Sequence, residues 1–176
     1  MPTALELQEL SQTGKLAFEA GEYESAASIF ESALKGYAAL GDQINAAEMK
    51  NNMSVAFLQA GKAQEALNAA LGTEEVFANI QDLKRQGIAV GNQAAALEGL
   101  HRTEEALAAY ERSASLFAAA GEGDMRAIVL KSAAGIKLKS GKIADSAFKM
   151  IGSLDAKEKP SIFERILKFF LRLLQR

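Results

Sequence analysis

The groups in this 176-residue chain that could move a proton, attack a carbon or bind a metal are few and poorly placed for it. One histidine, His101, and no cysteine leave a zinc or other nitrogen- and sulfur-rich metal site without ligands. The carboxylate pairs Glu74-Glu75 and Glu104-Glu105 fall near predicted helix ends, where a solvated charge or a favourable meeting with the helix N-terminal dipole accounts for them. The stretch Gly121-Glu122-Gly123-Asp124 lacks the third glycine and the preceding strand of a dinucleotide fingerprint, and reads as a loop. No catalytic residue, metal ligand or cofactor site is assigned, and the expectation is a protein that is not an enzyme.

The elements that carry these residues repeat. At intervals of 40 residues, Gly21, Gly61, His101 and Gly141 are each followed five positions later by a small residue, Ala26, Ala66, Ala106 and Ser146. A second small column, Gly14, Ser54, Ala94 and Ala134, keeps the same register, as do the aromatics Tyr37, Phe77 and Phe117 and the acids Asp42, Asp82 and Glu122. A fixed period in this range is the signature of stacked structural repeats. Hydrophobic content of 49%, with prolines only at Pro2 and Pro160, leaves little to interrupt helices between the ends. The fold class expected is all-α: a solenoid of stacked antiparallel helix pairs. Four units are predicted, at about 3–40, 41–80, 81–120 and 121–155, within a domain spanning 1–156. In each, a first helix (about 3–20, 42–60, 82–100, 124–140) meets a second (about 23–40, 63–80, 103–120, 143–155) through a tight turn. A linker at 157–160 leads to a final helix over 161–176. The small columns have a packing reason, since bulky side chains would hold closely crossing helices apart.

Through these columns, and most clearly in Gly21-Glu-Tyr-Glu-Ser-Ala26 with Phe30 and Ala33 and in Gly61-Lys-Ala-Gln-Glu-Ala-Leu67, the chain resembles the tetratricopeptide repeat family. The resemblance covers about residues 7–155 and implies a right-handed superhelix. The chain departs from the family at Leu10, Lys50, Val90 and Leu130, where an aromatic is usual, and at Ala38, Ala78 and Ala118, where a proline near the end of the second helix is usual. Without that proline each helix can run nearly another turn, which fits a period of 40 rather than about 34. HEAT-like repeats have a similar length and remain the competing assignment.

The resemblance further implies that the first helices line a concave groove that holds a protein or peptide segment. The column Gln12, Asn52, Asn92 and Ser132 on those helices is polar and uncharged throughout. Amides donate and accept together, as a peptide backbone requires, and the family's peptide-holding role is carried over to Asn52 and Asn92. Around that column the expected groove presents Lys15, Asn51, Val55, Ile88, Ala95, Glu98, Ile128, Lys131 and Lys139. The alternative is that the amides only bridge neighbouring helices.

Charge is unevenly distributed. Residues 1–124 hold 8 Lys and Arg against 18 Asp and Glu, a net of −10, whereas residues 125–176 hold 12 against 4, a net of +8. In the final segment Glu164, Arg165, Lys168, Arg172, Gln175 and Arg176 occupy one arc of about 120° on a helical projection. The apolar residues Ile162, Phe163, Ile166, Leu167, Phe169, Phe170, Leu171, Leu173 and Leu174 occupy the rest. Such a helix either docks on an anionic membrane surface or a protein partner, or it caps the solenoid. In a self-associating scaffold it would instead dock head-to-tail on another copy. Nucleic acid is a poor fit, because the aromatics face away from the cations. With no secretory signal read at the N-terminus and no apolar run long enough to span a bilayer, the expectation is a cytoplasmic adaptor or assembly factor, peripheral at a membrane if the final helix docks there.

Overall fold

The computed structural model describes residues 2–139, with the side chain of Lys139 excluded. The second helix of the fourth unit, the 157–160 linker and the amphipathic segment 161–176 lie outside the described residues. The chain divides into two compact units, Met1–Ala133 and Ala134–Arg176, and nearly all of the described residues belong to the first.

Among the described residues the protein is all-α and solenoid-like, its helices packed in a series of neighbouring contacts. The elements are α1 (Ala4–Glu19), α2 (Tyr23–Ala39), α3 (Gln43–Gln59), α4 (Ala63–Ala70), α5 (Thr73–Asn79), α6 (Leu83–Gly99), α7 (Thr103–Ala119) and α8 (Gly123–Lys139). The first, third, sixth and eighth are the leading helices of successive units. In the first three units the small columns lie at the crossings: Ala26, Ala66, Ala94 and Ala106 are wholly buried and Ser54 is nearly so, whereas Ala134 in the fourth unit is exposed and Ser146 lies outside the described residues. A Cβ added to Gly14 would stand 2.6 Å from the Phe30 ring, so this position takes no side chain while that ring stays where it is. Tyr37, Phe77 and Phe117 fill the space between layers and are buried.

Every junction but one has the same geometry. The residues at 21, 41, 61, 81, 101 and 121 all have positive φ, between 57° and 80°. At each, two backbone bonds close the helix end in the Schellman pattern; after α1, Gly21 N–H donates to Phe18 O at 3.0 Å and Glu22 N–H to Ala17 O at 2.9 Å. The turn therefore repeats every 20 residues, within units and between them alike. Glycine supplies it without steric cost at four of the six positions, while Gln81 and His101 adopt left-handed backbone at φ 57° and 59°. His101 itself makes the third turn. Gly99 is needed instead for close packing, since an added Cβ there would meet Ala63 Cβ at 2.9 Å.

The exception corrects the sequence-based expectation of one helix over 63–80. Leu71 is extended (ψ 136°) and Gly72 left-handed (φ 80°), which ends α4 after Ala70 and starts α5 at Thr73. The break is internally satisfied. The buried Thr73 hydroxyl lies 2.7 Å from the freed Ala70 carbonyl and 3.0 Å from Asn51 Oδ1, and Gln93 Nε2 reaches the same carbonyl at 3.4 Å. A glycine followed by Thr-Glu-Glu is a stop signal joined to a start signal.

Four ion pairs tie each unit to the next at separations of 37 or 38 residues: Glu24 with Lys62 (2.5 Å), Glu48 with Arg85 (2.7 Å), Lys84 with Glu122 (2.8 Å), and Glu74 with Arg112. Partly exposed pairs of this kind contribute little stability individually, but their spacing follows the stacking offset of one unit.

Candidate binding face

Three clefts among the described residues lie along the leading helices. The first, about 710 Å³, lies along α1 and α3 and is lined by Gln12 and Lys15 together with Gln8, Glu9, Asp42 and Glu48. Asp42 is positioned by the start of α3, where its carboxylate accepts from Asn45 N–H at 3.0 Å and from Asn45 Nδ2 at 2.6 Å. Glu48 pairs with Arg85, which also bonds Asp82 at 2.7 Å and stands 5.1 Å from the centre of the Phe77 ring. The backbone N–H of Arg85, then its guanidinium, holds the Asp82 carboxyl below the usual carboxylate range.

The second cleft, about 180 Å³, joins Lys15, Phe18 and Phe30 to Asn52 and Val55. The third, about 250 Å³, lies among α6, α7 and the first part of α8. Ile88, Asn92 and Ser132 share its wall with Tyr110, Met125 and Ile128. The Tyr110 hydroxyl donates to Glu98 at 2.9 Å, and burial first, then that carboxylate, pushes the phenol far above its ordinary range, so it stays a donor. Asn92 Nδ2 is enclosed yet has no hydrogen-bond partner among the described residues. A buried donor left unpaired costs about 1–3 kcal/mol.

The whole polar column Gln12, Asn52, Asn92 and Ser132 thus lines clefts, as does Lys15 with Val55 and as does Ile88. Three expected groove residues do not, and the side chain of Lys139 lies outside the described residues. Glu98 accepts from the Tyr110 hydroxyl beside the third cleft. Asn51 is buried at 6% exposure and its carbonyl oxygen meets Thr73, so it braces the break between α4 and α5. Lys131 is exposed on α8 and lines none of these three clefts. Tyr110, Met125 and Val129 join the third cleft without having been singled out as binding residues. A hydroxyl on Tyr110, where the first unit has Phe30, is the sequence sign that this position also serves a polar function. The docking residues between Ile162 and Arg176 lie outside the described residues.

Of the carboxylates considered for chemistry, Glu74 pairs with Arg112, and Glu105 accepts two bonds from Arg102. Among the described residues no group of three or more His, Cys, Asp or Glu could hold a metal ion, and no helix is long and apolar enough to cross a membrane.

No family model matches the chain, and no curated protein matches it either. Among solved structures it is similar to the crystal structure of BtubC (BKLC) from P. vanneervenii, with a TM-score of 0.57 and 19% identity over 78% of this chain. The match spans 65% of that protein's chain. At this identity the likeness supports the fold alone.

Proposed function

We propose that this chain is a non-catalytic adaptor or assembly factor of tetratricopeptide type that holds a peptide or helical segment of a protein partner along its leading-helix face. The observation that carries the reading is the third cleft, where apolar walls surround the unpartnered Nδ2 of Asn92. A donor of this kind gains more from a ligand carbonyl than an already bonded one does. Asn52 offers the same amide one unit earlier. The cationic, apolar pattern of residues 161–176 supports a second attachment, to an anionic membrane surface or a partner.

The test is the double variant Asn52→Ala, Asn92→Ala in the full chain. With each lost hydrogen bond worth about 1 kcal/mol, affinity for a captured partner should fall roughly 10- to 100-fold while the melting temperature holds. Unchanged affinity for that partner removes the groove assignment.

A further inference from the structure

The clefts change character along the face. In the first, Glu9, Asp42 and Glu48 outnumber the single lining cation, Lys15. Glu9 is exposed and forms no ion pair among the described residues. Asp42 is bonded by neutral donors, so its charge stands, whereas that of Glu48 is shared with Arg85. The third cleft has no charged residue in its lining; Ile88, Phe117, Met125, Ile128 and Val129 supply most of it, and Ile128 is 65% exposed. Residues 1–124, which carry the first two clefts and the third except for its α8 wall, have a net charge of −10.

From this polarity we infer that the bound partner is a polarised protein segment: Lys or Arg over the α1–α3 cleft, and a Leu, Ile or Val side chain in the α6–α8 cleft. The inference rests on the groove reading and adds the chemistry of the ligand to it. The cation meets Glu9 and Asp42, and the negative field favours its approach. The aliphatic side chain covers Ile128 and Val129, and the backbone carbonyl beside it accepts from Asn92 Nδ2 once the enclosed amide turns toward the cleft. An acidic segment is disfavoured at the first cleft by like charge. Packed helices stand about 9 Å apart, and the two clefts are two helix steps apart. The anchors then lie about 18–20 Å from each other, roughly six residues of extended chain at about 3.3 Å per residue.

The experiment is selection of phage-displayed random dodecapeptides on the immobilised full-length chain, followed by fluorescence anisotropy of the enriched peptides at low and high salt. Enriched sequences should pair Lys or Arg with Leu, Ile or Val about six positions away. Glu9→Lys should weaken them about fivefold at low salt, with the difference vanishing at high salt. Ile128→Glu and Asn92→Ala should weaken them at both. If enriched peptides are acidic or uncharged yet still lose affinity to Asn92→Ala, the polarity is wrong and the groove stands. Absence of enrichment, or binding indifferent to all three substitutions, overturns both.

Discussion

Asn51 and Asn92 carry the same side chain on leading helices, and their surroundings give them opposite roles. Asn51 lies against Thr73 inside the core and braces the broken second helix. Asn92 keeps an unpartnered donor in a cleft wall. The first arrangement makes a prediction about stability. Thr73→Val keeps the shape of the side chain but removes the hydroxyl that meets both Ala70 O and Asn51 Oδ1. The hydroxyl has one proton for these two acceptors, so its loss leaves one of them short of a donor and should lower unfolding free energy by about 1–3 kcal/mol, read from urea titration. A loss below about 0.5 kcal/mol would mean that Gln93 alone satisfies the carbonyl. The distinction between Asn51 and Asn52 was invisible in sequence. Adjacent residues on a helix point about 100° apart, and which of two adjacent asparagines faces the groove depends on how α3 is rotated against α4, α5 and α6.

At the scale of elements, the helix ends are the most legible part of the chain. Glycines at 21, 41, 61 and 121 signal left-handed turns, and the structure extends the pattern to Gln81 and His101. Left-handed backbone costs a residue with a Cβ roughly 1–2 kcal/mol, part of which glycine gives back through its flexible unfolded chain. His101→Gly should therefore stabilise the protein by about 0.5–1 kcal/mol, a rise of roughly 1–4 °C in melting temperature by calorimetry. The reverse change, Gly61→Ala, should lower it. A stabilising Gly61→Ala would show that the turn relaxes without positive φ. The break at Leu71-Gly72 was harder to see. Gly72 and Thr73 carry stop and start signals, but the surrounding residues, Ala63–Ala70 and Glu74–Asn79, keep helical propensity on both sides.

For the whole molecule, charge polarity is the property most open to test. The acidic body and the cationic residues of 161–176 belong to one chain, and an anionic surface would meet attraction from the second and repulsion from the first. The full chain should float with anionic vesicles at low salt and be released at high salt, where the Debye length falls to about 3 Å at 1 M. A full-length variant with Arg165, Lys168, Arg172 and Arg176 all changed to Gln should stay in solution. If both float equally, or neither floats, residues 161–176 do not attach the chain to lipid through charge.

The sequence by itself determined the helix-pair period, the small residues at the crossings and the aromatic layer, because each is a local steric demand that recurs with every unit. It also determined the charge asymmetry, which is a sum over residues and needs no coordinates. Tertiary structure alone decided that Asn51 meets Thr73 while the enclosed Asn92 Nδ2 has no partner among the described residues, where α4 ends, and how Tyr110 and Met125 join Ile88 and Asn92 in one cleft. Those outcomes depend on the rotation of each helix and on contacts 20 or more residues apart along the chain. No periodic pattern carries that information.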